Sequence, residues 1–324
     1  MKNNFLIAIL LIVTNFAYSQ NKKKVSPYTI DGKSNITINY IKITSTDQDC
    51  LTITNCNNIV IQSSEFGDSK KTGINIYNCK NITINDCFFY YVSTGISVQK
   101  SSGIKITNNR FLNMQGPMPR GQYVQFNHVY GEGNIISYNV GESVLGANSD
   151  EDLINIFQSN GTPNSPIEVS HNKFKGSGTS TSGGGIIAGD KGGSYEVIED
   201  NILVNPGQYG IAIAGGSHMA IRNNVVYGKQ QGFTNIGVYA WNQEGNGKTS
   251  DSIEISGNRV NFTNKSGGRN DFWHHKNAGD IKGWETNKSD NTLNENILPQ
   301  NLLSLPVDER SKIDAEGAKG YIKK

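Results

Sequence analysis

The sequence predicts an all-β solenoid, a parallel β-helix of about nine coils closed by a C-terminal capping segment. Three observations lead there. A stretch near 23 residues recurs without gaps: residues 51–66 read LTITNCNNIVIQSSEF, 74–89 INIYNCKNITINDCFF, 96–111 ISVQKSSGIKITNNRF and 211–226 IAIAGGSHMAIRNNVV. Each copy holds two short apolar–polar alternations around a polar turn, too little to bury a face alone, so neighbouring copies must stack. Finally, the residue after the second alternation recurs as Ile41, Ser64, Cys87, Asn109, Asn139, Asn172, Asn201, Asn224 and Asn258, at spacings of 23, 23, 22, 30, 33, 29, 23 and 34. Equivalent strands one coil apart, at about 4.8 Å, give a rod on the order of 40 Å long. Leucine-rich repeats would need Leu where this chain has Ile, Val and Asn, and a β-sandwich would have no constant period.

Three segments divide the chain. Residues 1–19 combine Lys2, an apolar run from Phe5 to Val13 and Ala17-Tyr18-Ser19, the pattern of a cleaved secretory signal peptide. The expected location is therefore secreted or periplasmic, with no lipid anchor and no membrane span. Residues 20–261 form the coils, with Ile36, Ile38, Ile59, Ile61, Ile82, Ile84, Ile104, Ile106, Ile167, Val169, Ile253 and Ile255 pointing inward as aliphatic stacks. The recurring asparagines should form a ladder at a sharp bend, because Asn tolerates left-handed backbone and its amide can bond the copies above and below. Cys56 and Cys79 fall at one place in adjacent coils, where a disulfide and a reduced stack are both open. From residue 262 to 324 the pattern fades into a C-terminal extension packing on or capping the helix. Trp273 and Trp284 serve there as anchors, and PVDERSKIDAEGAK supplies a short helix begun near Pro306.

Coils such as NITIND and GIKITNNRF, over roughly residues 30–260, resemble the right-handed parallel β-helix proteins of the pectate-lyase-like superfamily. The resemblance implies the right-handed fold and a place in the carbohydrate-active branch. Its chemistry ranges over lyases, hydrolases, epimerases, phage tailspikes and non-enzymatic periplasmic proteins, so function must be read from the residues. With 30 Lys and Arg against 28 Asp and Glu, the net charge is +2, and no basic stripe with interleaved aromatics marks a nucleic-acid binder. The expected partner is a polysaccharide, read as anionic, and the expected state is a monomer.

Insertions single out one region. From first strand to ladder residue the plain coils take 13 residues, whereas those beginning at Val124, Ile154, Ile186 and Ile236 take 15, 18, 15 and 22. Loops on a rigid scaffold are where function concentrates. On the exposed face of the first strands the alternation predicts one row of Thr52, Asn75, Ser97, Gln125, Asn155, Ile187, Ala212 and Gly237. A second row holds Thr54, Tyr77, Gln99, Asn127, Phe157, Gly189, Ala214 and Tyr239. The edge before the strand carries Asp47 and Asp150, Asp49 and Asp152 as equivalents, with Arg120 and Gln122 in those places one coil from Asp150, close enough for an ion pair. The other edge carries His128, Gln158, Asp190 and Lys191.

These residues suit a lyase that cleaves a uronic-acid polymer by β-elimination. That reaction must neutralise the carboxylate beside the abstracted proton, remove the proton and protonate the departing oxygen. Arg120 is assigned to the carboxylate, His128 or Lys191 to the base and Tyr209 or Tyr239 to the acid, with Gln122, Gln125, Asn127, Asn155, Gln158 and Asp190 holding substrate. A glycoside hydrolase or epimerase using Asp150, Asp152 or Asp190 is the alternative on the same scaffold, and a non-catalytic glycan-binding surface protein is the alternative of another class. No cofactor is required. Asp150 and Asp152 with Glu151 are the candidate calcium cluster, without a full calcium loop.

Other motifs carry less. TDQDCLTI at 46–53 resembles the paired-aspartate segment of polygalacturonase-type hydrolases, but the Gly-His-Gly and Arg-Ile-Lys segments are missing and Asp47 and Asp49 lie on an undecorated end. His218 falls at the turn place of Asn58 and Asn81. Glycines 183–185 lie between strands, so they form no nucleotide loop.

Overall fold

The computed structural model describes residues 22–145, 147–245 and 247–319; the expected signal peptide at 1–19 lies outside the described residues. The chain winds as a right-handed parallel β-helix whose strands stack in three parallel series. The first series runs through Leu51–Thr54, Ile74–Tyr77, Ile96–Gln99, Val124–Asn127 and Ile154–Asn160. It continues through Ile186–Glu199, Tyr209–Ile213, Ile236–Ala240 and Phe272–His274. The second series includes Asn57–Gln62, Lys80–Asn85 and Ser102–Thr107. Because the 14-residue strand Ile186–Glu199 runs through both, the two series count as one 19-stranded sheet. The third series is a separate 11-stranded sheet.

Alternation decides which side chains go inside. Ile59, Ile61, Ile82, Ile84, Ile104 and Ile106 are fully buried, and their Cα partners lie one coil away, Ile59 on Ile82 and Ile82 on Ile104. Aromatic side chains add a second interior column: Phe66, Phe89 and Phe111 of the third series and Tyr123, just before Val124–Asn127, stack with centroids 5.3, 5.1 and 5.1 Å apart.

The asparagine ladder forms, with one correction. In Asn109, Asn139, Asn172, Asn201, Asn224 and Asn258 the backbone N–H and the side-chain amide both donate to the Oδ1 of the next asparagine, at 2.8–3.1 Å for the links from Asn109 to Asn287. All six are fully buried. The left-handed residue is the one before each, such as Asn108 (φ 56°), Asp200 (φ 55°) and Asn223 (φ 53°), because the bend must turn the backbone before the amide can face inward. Cys56 and Cys79 stand in the equivalent place at another bend. They are free thiols, and the Cys56 N–H donates to Cys79 Sγ at 3.3 Å.

The winding continues past residue 261, where the sequence pattern fades. Phe272–His274 pairs with Val238–Ala240, Ile281–Lys282 with Ile253–Glu254, and Lys288–Ser289 with Arg259–Val260. Trp284 anchors this coil against Phe272 at 6.1 Å and His274 at 4.7 Å, whereas Trp273, expected as its fellow anchor, faces outward. The C-terminal helix, α1, spans Val307–Lys319. It caps no end: Ile313, Leu303 and Leu305 pack on Phe88 and Leu112 at the flank of the middle coils, and Arg310 pairs with buried Glu142.

Candidate active-site groove

The exposed row on the first sheet has a definite order. Gln125 lies against Asn155, Asn155 against Ile187, Ile187 against Ala212, Ala212 against Tyr239 and Tyr239 against Trp273. Two details differ from the sequence reading. Tyr239, not Gly237, partners Ala212, a slip of two residues that leaves the same side chains outward because the strand period is two. Asp190, not Gly189, partners Phe157, because the strand bulges at Gly189 (φ +61°). The buried Glu196 holds that bulge, its Oε2 accepting from the Gly189 N–H at 2.8 Å.

The groove floor is a chain of amides ending on carboxylates. Gln125 Nε2 donates to the Phe126 carbonyl at 2.8 Å and to Asn155 Oδ1 at 3.0 Å, so the main-chain carbonyl fixes which way both amides face. Asn155 Nδ2 is thereby turned toward two acids, donating to Asp152 Oδ2 and to Asp190 Oδ2, each at 2.9 Å. Asp152 Oδ1 accepts from the Gly184 N–H at 3.0 Å and from the hydroxyl of buried Tyr209. Burial pushes the Asp152 carboxyl up to about 6 in spite of the three donors around it. Tyr209 is held well above its ordinary value by burial and by the neighbouring Asp152.

This cavity, of about 370 Å³, is lined by Arg120, Gln122, Gln125, Asn127, Asn155, Asp190 and Tyr209 among the expected site residues, together with Asp152 and Glu151. Glu151 accepts from Ser180 and Ser182 at 3.0 and 2.6 Å and so ties the next coil's loop to the wall. Gln122 Oε1 is buried with no partner, an acceptor left open beside the groove. Tyr239 lines an adjoining cavity of about 510 Å³, which shares Ser182, Ile187 and Gln243 with the first.

His128, Gln158 and Lys191 are placed differently. With φ of 57°, 44° and 58° they occupy a left-handed corner, which in plainer coils follows the strand at Asn55, Asn78 and Lys100 and which Ile154–Asn160 and Ile186–Glu199 run through, and they line neither cavity. The expected Arg120–Asp150 ion pair does not form. Asp150 is fully buried and accepts from Ser143, which also bonds Tyr123, while Arg120 is exposed and has no ion pair among the described residues.

In the expected calcium cluster Asp152 accepts from Asn155 and Gly184 while Asp150 turns inward to Ser143, and among the described residues no group of three or more His, Cys, Asp or Glu is placed to hold a metal. At the undecorated end, Asp49 caps the Thr72 N–H at 3.0 Å and Asn75 at 2.8 Å, and Asp47 pairs with exposed Lys70. The sequence reading missed Trp241 and Gln243. They follow the strand Ile236–Ala240, whose register only the pairing with Ile211 and Ala212 reveals.

Comparison with known proteins bears on the scaffold. Residues 29–195 match the family model described as a right handed beta helix region. No curated protein matches the chain. Among solved structures, the catalytic domain of a GH87 alpha-1,3-glucanase in complex with nigerose aligns with a TM-score of 0.52 at 11% identity, covering 80% of this chain and 50% of that one. The D1068A form of such a domain with tetrasaccharides aligns at 0.48 and 12%, covering 78% and 54%. The chain thus spans about half the length of the solved domains it matches, and the likeness is one of fold.

Proposed function

The chain belongs to the right-handed β-helix family, and on that scaffold we propose that its groove is the active site of a polysaccharide hydrolase. One observation carries the reading: two carboxylates, Asp152 and Asp190, share the amide nitrogen of Asn155 on the floor of a groove built from successive coils. Glycoside hydrolysis needs one carboxyl to protonate the departing oxygen and a second to attack the sugar carbon or activate water. Contacts of 2.9 Å to one nitrogen hold the pair closer than the ~6.5–9.5 Å that leaves room for a water, which favours direct attack and a retained anomeric configuration. Asp152, whose proton is kept by burial, is the donor, and Asp190 is the attacking carboxylate. An amide N–H, donated by Asn155, lies between the acids and fills the place a bridging cation would take. The nigerose-bound catalytic domain that shares this fold supports the substrate class.

In a screen of polysaccharides the protein should release reducing ends without the absorbance of an unsaturated sugar. Asp152→Asn and Asp190→Asn should each lose about 10²–10⁴-fold in kcat with the fold intact. The rate should fall as pH rises through about 6, where the donor loses its proton. EDTA should leave it unchanged. Turnover at the parent rate by Asp190→Asn would refute the assignment. β-Elimination on a uronic-acid polymer is the second reading, favoured by the guanidinium of Arg120, which lines the groove and has no ion pair among the described residues. It predicts an unsaturated product and loss of activity in Arg120→Ala.

A further inference from the structure

The cavity that continues the groove toward the C-terminal coils differs in chemistry from the carboxylate site. Its floor and walls are aromatic: Tyr239, Trp241 and Trp273, with the two indoles 6.3 Å apart and nearly perpendicular. Both tryptophans are 43% exposed, and unlike the exposed tyrosines elsewhere on the chain they stand together in the lining of one cavity. Neither indole N–H has a hydrogen-bond acceptor among the described residues. Apolar surface of this size gathered in one concavity marks a binding site. Tyr239 is seated on a small buried cluster of Ile187, Tyr209, Ala212, Ala214 and Ile236, with Ala212 as its partner one coil back.

Around this floor stands a rim of hydroxyls and amides, Thr181, Ser182, Gln208, Asn235, Gln243 and Asn270, and the cavity has no charged residue in its lining. The ligand that fits has apolar faces to lie on aromatic rings, a periphery of hydroxyls for the amides, and no charge to balance. We infer that this trough binds consecutive sugar residues of a neutral glycan chain, held on Trp241 and Trp273 and running along the helix axis into the carboxylate site. The row from Gln125 to Trp273 crosses coils at ~4.8 Å each, so the combined groove is roughly 24 Å long and accepts several sugars. This deepens the proposed function by naming the substrate as neutral and its binding side as the C-terminal one. The cleavage point rests on that proposal; the binding site does not.

The test uses the mature protein as Asp190→Asn, to suppress turnover, titrated with neutral linear glucan oligosaccharides and with oligogalacturonate of equal length while tryptophan fluorescence is followed. A glucan should shift the emission saturably, and oligogalacturonate should not. Trp241→Ala and Trp273→Ala should each weaken glucan affinity by about tenfold, with Phe in either place keeping most of it. In the otherwise native enzyme the same Ala variants should raise KM on long chains more than they lower kcat.

Saturable binding of oligogalacturonate in preference to every glucan, or unchanged affinity and KM in both Ala variants, would overturn the inference. So would a dimer by sedimentation that dissociates in Trp241→Ala, which would make this face a contact between copies. If glucans bind with the expected Trp dependence and the native enzyme releases no reducing ends, the trough stands and the hydrolytic reading alone fails.

Discussion

Asp150 and Asp152 stand two residues apart, yet they do different things. The segment between them is not a strand, so the spacing of two does not put them on one face, and each carboxyl is set by what it meets. Asp152 meets three donors and stays in the groove. Asp150 turns inward to Ser143, its Oδ1 has no partner, and burial pushes its carboxyl up to about 8. The folded state therefore holds a proton that the unfolded chain releases near the ordinary carboxylate value of about 4. Asp150 supports the fold at low pH, and that support is lost as pH rises toward about 8. Asp150→Asn keeps the shape without the titration. Its stability by urea unfolding should pull ahead of the parent's over this window, by up to about 1.4 kcal/mol per pH unit. A constant difference between the two would contradict this. The presence of two acids before the fifth first-sheet strand is legible in the sequence; which of them faces the groove is not, because direction in an irregular loop has no period.

At the scale of elements, the bend asparagines are both the strongest sequence signal and the most completely bonded side chains. Asn201 accepts from the N–H and amide of Asn172 and donates to the Val169 carbonyl and to Asn224, all out of water. Replacing it by Ala leaves several buried groups unpaired at about 1–3 kcal/mol each, so Asn201→Ala should cost about 2–4 kcal/mol of unfolding free energy. Chemical denaturation with circular dichroism measures it, and a cost below about 1 kcal/mol would show the ladder to be ornament. Strand registers were less legible. Coils of 22–23 residues align themselves, but the coil that starts at Ile236 carries so long an insertion that only its pairing with Ile211 fixes Tyr239 beside Ala212. Likewise Asp190 enters the exposed row through a bulge held by Glu196, a residue six positions later that lies at an inward place between Ile167 and Met219.

Seen whole, the molecule is a rod decorated unevenly. The first coils are plain, the groove opens where the loops lengthen, and the aromatic trough follows toward the far end. The C-terminal tail lies on another face: α1 and the Leu303–Leu305 segment lean on the third sheet, not on the first sheet that carries the groove. Ile313→Asp should undock it, since burial of an Ile supplies about 1.5–3 kcal/mol and an aspartate there gains no partner. Limited proteolysis should then cut the final residues rapidly, while catalytic rate and coil melting stay at parental values. A parallel loss of activity would tie the tail to the groove.

The sequence by itself determined the solenoid, two recurring strands per coil, the ladder and the stretch of coils where loops enlarge, because each is a local pattern repeated until its period is unmistakable. It also brought Arg120, Gln122, Gln125, Asn127, Asn155, Asp190 and Tyr209 to one neighbourhood, since equivalent positions in stacked coils must be neighbours. Tertiary structure alone decided that His128, Gln158 and Lys191 are left-handed corners outside the groove, that Asn155 points its N–H at two acids, and that Trp241 and Trp273 stand open beside them. Those outcomes depend on side-chain direction, on bulges and on insertions, which break the period from which everything else was read.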